Sequence, residues 1–129
     1  MVAPPLVEPY IEEGHKLIEA LRTAGFQVDA AFWSYYPEPD IWKLIFVSRL
    51  VDEQGSLKSY EAIQRVLGED SSISILDVSV RGLRDKVAHA IWKEVRFRPG
   101  EITRRVRRTP IEDAYIDDAL VYNLEAPAQ

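Results

Sequence analysis

The run IWKLIFVSRLV, from Ile41 to Val51, constrains the fold more than any other stretch. Its β-branched and aromatic residues favour a strand. Read with a period of two, Trp42, Leu44, Phe46 and Ser48 alternate against Ile41, Lys43, Ile45 and Val47. Both sets are largely apolar. A strand that is apolar on both faces must be covered on both, which predicts a central position in a sheet packed on either side.

The neighbouring segments supply the rest of such a layout. FQVDAAFWSYY, just upstream, also alternates: Phe26, Val28, Ala30 and Phe32 share one face, while Trp33 and Tyr35 fall with Gln27 and Asp29 on a more polar one. PEPD between the two runs is turn chemistry, so the pair reads as a hairpin. Helical spacing flanks them. Ile11, Leu17, Ile18 and Leu21 predict a helix over residues 9–24, with Pro9 in its first turn and Gly25 as its stop. Tyr60, Ile63, Val66 and Leu67 predict a second after the loop VDEQGS, with Ser56 as its N-cap. ISILDVSV reads as a third strand. Leu83, Val87, Ala90 and Ile91 then form the stripe of a third helix, for which Ser79 is the candidate cap.

Pro99-Gly100 marks a turn. EITRRVRRT beyond it is short and closed by Pro110, and its β-branched content favours a strand. DAYIDDALVYNL supplies one or two more. The order α-β-β-α-β-α-β-β predicts an α+β fold, a largely antiparallel sheet of five or six strands with three helices against it. No linker divides the 129 residues, so a single domain over 1–129 is expected, with 1–8 and 125–129 as tails.

Composition narrows the chemistry. There is no cysteine, hence no disulfide or thiolate metal site, and a reducing cytosol is permitted. No stretch has the length and apolarity of a membrane span or a signal peptide. The net charge of −5 does not steer the chain to nucleic acid, so such binding needs a local patch. The glycines are scattered singly, and no Walker, GxGxxG, GxSxG or HExxH motif occurs.

The two histidines, His15 and His89, fall in predicted helices and read as structural or solvated. Glu112, Asp113, Asp117 and Asp118 have the chemistry of hard-cation ligands, but their spacing reads better as a solvated acidic hairpin. No metal or cofactor is expected. Trp33, Trp42, Trp92, Tyr35 and Tyr36 have the chemistry of a base-stacking platform, but aromatics at strand spacing are more often core or cross-strand pairs, so Trp33, Tyr35 and Tyr36 read as core or as an interface of aromatics.

The densest signal is basic. Arg96, Arg98, Arg104, Arg105, Arg107 and Arg108 crowd into thirteen positions. Such a cluster suits phosphate contact. In a strand, however, Arg104 and Arg108 point to one face and Arg105 and Arg107 to the other. A hairpin turning at Pro110 and Ile111 would set Arg108 opposite Asp113 and Arg104 opposite Asp117. Each such pair contributes roughly 0.2–1 kcal/mol, fixing register and discouraging sheet-to-sheet aggregation.

The stretch from Gly25 to Gly55, together with IEDAYIDDALVYNL, resembles a group of small bacterial proteins to which no activity is attached. The resemblance covers most of the chain and implies a bacterial, cytoplasmic protein. It implies no catalytic residue. The reading that follows is a non-enzymatic binding module whose partner is a protein or a second copy in a homodimer, with no membrane. The alternative is nucleic acid, for instance through a small toxin-type ribonuclease. There Arg104, Arg105, Arg107 and Arg108 would contact phosphate, and His89 or Glu112 would carry the proton.

Overall fold

The computed structural model describes residues 5–6, 8–68, 71–111 and 114–125. Five strands form one sheet: β1 (Ala30–Tyr36), β2 (Ile41–Val47), β3 (Val78–Arg81), β4 (Thr103–Ile111) and β5 (Ala114–Tyr122). Their spatial order is β3-β2-β1-β5-β4. Four helices accompany them: α1 (Glu8–Thr23), α2 (Arg49–Gln54), α3 (Ser56–Val66) and α4 (Lys86–Glu94). The fold is α+β, as the sequence implies, but the sheet is mixed. β2 and β3 run parallel while the other neighbours are antiparallel. The connection from β2 to β3 carries α2 and α3, and a helical crossover returns the chain in its original direction.

β2 is interior and covered on both sides, as its two apolar faces require. Leu44 and Phe46 join Trp33, Leu120 and Tyr122 in a core closed by Leu17, Ile18 and Leu21 of α1 and Ile63 of α3. Ile45 and Val47 join Phe32, Ala119 and Val121 in a second core beneath Ala88 and Ile91 of α4.

Several boundaries differ from the sequence reading, each for a local reason. β1 begins only at Ala30; Phe26 and Val28 pack against the α1-side core from the preceding loop. The second strand stops at Val47, because the Ser48 hydroxyl accepts from the Leu50 N–H (3.2 Å) and starts α2 where a continuing strand was expected. Gly55, at φ 83°, separates α2 from α3 and occupies the N-cap position expected of Ser56. Residues 75–77 form a 3₁₀ turn bracketed by Ser74 and Asp77, which shortens the third strand to Val78–Arg81. Asp85 caps α4 by accepting from the Ala88 N–H at 2.9 Å, while Ser79 lies inside β3.

Two glycines permit close approaches. At Gly14, α1 lies directly over Tyr122, and a Cβ there would stand 3.0 Å from Cζ of that ring and 3.2 Å from Trp33 Nε1. Beneath it runs a buried polar chain: Trp33 Nε1–H donates to Tyr122 Oη (2.9 Å), which donates to the Ile11 carbonyl (2.7 Å). Burial pushes the Tyr122 phenol well above the ordinary tyrosine pKa. At Gly82, a Cβ would lie 2.7 Å from Asp52 Oδ2, the oxygen that accepts from the Leu83 N–H at 2.8 Å.

Candidate functional site

The arginines are placed by two extended segments joined through a turn. After α4, Val95 and Phe97 pack into the α4-side core while Arg96 and Arg98 are exposed, a strand-like alternation outside any ladder. Pro99-Gly100 reverses the chain with Gly100 at φ 81°, and the Glu101 carboxylate accepts from the Arg98 N–H at 3.2 Å. The chain then enters β4, an edge strand.

On β4 Arg105 and Arg107 share the face of Leu120 and Asp118 while Arg104 shares that of Val121, but the hairpin register is not the one the sequence suggests. β4 continues through Pro110 to Ile111, and Ile111 pairs with Ala114. An edge strand tolerates proline, whose missing N–H breaks no ladder bond when it faces outward. Arg104 therefore faces Val121 and not Asp117. Glu112 and Asp113 lie outside the described residues, and with them the expected Arg108–Asp113 pair.

Charge pairing is present with different partners. Asp118, only 7% exposed, stands opposite Arg107 and accepts from Arg105 through Nε (2.5 Å) and Nη2 (2.6 Å). Arg107 Nε is 3.7 Å from the same carboxylate. Bidentate charge-assisted geometry is the strong form of this interaction, and it holds the Arg105 pKa above its usual value. The Arg105 guanidinium also lies 5.2 Å from the centre of the Trp42 ring. Arg104 pairs with Glu101 at 3.4 Å.

Arg108 interrupts the alternation. Its φ is 43°, a left-handed conformation that costs an arginine roughly 1–2 kcal/mol. Register pairing runs on both sides of it, from Arg107↔Asp118 to Thr109↔Ile116. As a result Val106 and Ile111, of opposite parity, both reach the α4-side core, as do Ile116 and Ala119.

These placements make a groove of about 610 Å³ between residues 94–98 and β4. It is lined by Arg96, Arg98, Arg104, Arg105 and Arg107, with Glu94 as the one acid among them. Among the described residues, no carboxylate lies within ion-pair distance of Arg96, Arg98 or Arg108. A second cleft, of about 630 Å³, opens on the other side of the 95–98 segment. Its floor includes Ala30, Ile91 and Val121, and Trp92 stands in its wall.

The aromatic candidates are placed differently. Trp33, 2% exposed, is core, and Tyr35 is buried against Trp42, with ring centres 5.5 Å apart. The Tyr35 hydroxyl donates to Asp40 Oδ1. That hydrogen bond, with burial and the charges of Asp40 and Asp117, pushes its pKa up to about 12. Tyr36 is half-buried at the edge of the α4-side core. The polar face assigned to Trp33 and Tyr35 is thus the α1-side core: Gln27 and Asp29, which gave it a polar look, precede β1. Of the tryptophans in the sequence, Trp92 is the exposed one, beside exposed Tyr10 and Tyr115 elsewhere on the surface. The signal for Trp92 was its position one residue past the apolar stripe of the third helix.

Both histidines stand beside aromatic rings. His15 lies 6.4 Å from the Tyr122 ring and His89 5.9 Å from Trp92. Among the described residues, no group of three His, Asp or Glu is arranged to hold a metal ion, and none of the described helices is long and apolar enough to cross a membrane. Comparison with protein-family models, curated proteins and solved structures gives no match.

Proposed function

We propose that this chain is a non-enzymatic binding module whose working surface is the arginine-lined edge, and that its partner presents a run of negative charge. The observation that carries this reading is the convergence of arginines from two separate segments on one open groove. Arg105 and Arg107 are partly neutralised by Asp118 on their own face of the sheet, and Arg104 by Glu101. Arg96 and Arg98 remain as charge directed to solvent. A net charge of −5 does not cancel a patch of this kind, since screening confines each charge to about 8–10 Å at physiological salt.

The reading is tested by titrating labelled single-stranded RNA, duplex DNA and poly-L-glutamate with the protein over a salt series. The wild type is compared with a variant in which Arg96, Arg98, Arg104 and Arg107 are all alanine. Binding to at least one polyanion is expected, weakening with salt and lost in the variant. Absence of binding to all three at low salt refutes it.

A further inference from the structure

Resting on that reading, we infer that the partner is single-stranded nucleic acid, its phosphates following the arginine groove and a base entering the adjoining cleft against Trp92. The 95–98 segment forms the wall between two cavities of different character. Arg96, Phe97 and Arg98 line both. On one side five arginines line the groove, with Glu94, Thr109 and the apolar Val95, Phe97, Val106 and Ile111 between them. On the other, the arginines give way to buried Ala30, Ile91 and Val121, each less than a tenth exposed, and to Asp29, Glu101 and Glu125, which disfavour a phosphate there and leave the cleft to an uncharged base. A strand of nucleic acid has this duality along its length, a charged backbone with flat apolar bases on one side of it.

Trp92 is prepared to receive such a base. It is 37% exposed, so part of its surface is open to the cleft. Its ring is held by His89, 5.9 Å away, and by the Arg49 guanidinium, 5.5 Å from its centre. Arg49 is itself anchored: its N–H donates to Asp29 Oδ2 at 2.8 Å and its Nε lies 3.7 Å from Oδ1. An aromatic surface fixed before binding gives up little side-chain freedom when a base stacks on it.

Other polyanions match only half of this arrangement. An acidic peptide satisfies the arginines, but it offers the cleft a flat group only where an aromatic side chain happens to stand, whereas a nucleic acid carries one on every unit. Duplex DNA satisfies them too, but its bases are stacked inside the helix and reach no cleft without being flipped out. The groove and cleft are each close to the size of a small-molecule site, so the footprint is a few nucleotides. With Arg96, Arg98 and Arg104 each meeting one phosphate, the logarithm of affinity should fall with that of salt at a slope of about −2.

The test uses the full chain and fluorescein-labelled oligo(dT), with an abasic deoxyribose-phosphate oligomer of equal length, inorganic polyphosphate and poly-L-glutamate as competitors. Oligo(dT) should bind more tightly than the abasic chain. Trp92→Ala should weaken oligo(dT) roughly ten- to hundredfold while leaving polyphosphate unchanged. Trp92→Phe should retain most of the affinity, and circular dichroism establishes that both variants fold. Arg98→Ala should weaken every polyanion. Equal binding of oligo(dT) and the abasic chain, or an oligo(dT) affinity untouched by Trp92→Ala, overturns the inference and leaves the polyanion reading standing. Preference for poly-L-glutamate overturns it in favour of an acidic protein partner. No binding by any probe removes both.

Discussion

Replacing Gly14 by alanine pits two effects against each other inside one helix. Alanine is the better helix former, and in an exposed interior position the change stabilises by roughly 1 kcal/mol. Here the new methyl meets the Tyr122 hydroxyl and stands 3.0 Å from its Cζ. The hydroxyl cannot swing aside freely, because the Ile11 carbonyl and Trp33 Nε1–H hold it on either side. Displacing it leaves a buried Trp33 donor unsatisfied, at about 1–3 kcal/mol. Forcing an extra methyl into a filled space costs roughly 1–3 kcal/mol more. The costs exceed the gain, and Gly14→Ala should destabilise by about 2–3 kcal/mol, a fall in Tm on the order of 10 °C. Urea denaturation followed by circular dichroism gives the value. Tyr122→Phe removes the colliding hydroxyl, so in that background Gly14→Ala should cost at least about 1 kcal/mol less. A rise in Tm on Gly14→Ala, or strict additivity with Tyr122→Phe, would refute the reasoning.

Two further perturbations probe the polar row on the α1 face. Tyr35 keeps its proton to about pH 12 in the fold, whereas a tyrosine in the unfolded chain loses it near 10. Within that window the folded chain holds the extra proton, so its stability should fall as pH rises from about 10 to 12. Tyr35→Phe should lessen the fall; identical slopes in urea midpoints between wild type and variant would count against the assignment. Asp118→Asn removes the charge that Arg105 grips with two bonds, and a loss of roughly 1–2 kcal/mol is expected, since a side chain one-third exposed can recruit water in compensation. Equilibrium urea curves decide it, and an unchanged midpoint would mean the pair is neutral for folding.

The layered α+β arrangement was legible because it is written in periodicity. The two apolar faces of residues 41–47 demand cover on both sides, and α1, α3 and α4 supply it. What escaped the sequence reading are events decided by single side chains. Ser48 turns an apolar run into a helix start by capping Leu50, and nothing in the spacing announces it. Pro110 looked like the end of a strand because its missing N–H matters in a ladder interior, but β4 lies at an edge. The strand therefore runs on to Ile111, and the register on β5 sets Arg104 opposite Val121 and not Asp117. The arginine cluster itself was visible in the sequence. Its division between an internal grip on Asp118 and a groove shared with Arg96 and Arg98 was not, because the approach of residues 94–98 to β4 is a tertiary fact with no local pattern.

The sheet joins two hairpins that are distant in the chain, β1–β2 near its start and β4–β5 near its end. They meet along β1 and β5 over Phe32↔Val121, Trp33↔Leu120 and Ser34↔Ala119, a much shorter ladder than either hairpin has within itself. That seam is the natural line of partial opening. The bonds linking Trp33, Tyr122 and Ile11 cross it like a clasp, tying the last strand to the middle one and to the first helix. The arginine groove belongs to the late hairpin and the 95–98 segment, whereas the Asp29–Arg49 anchor of Trp92 belongs to the early half. Any ligand that spans both cavities would therefore also hold the two halves of the sheet together.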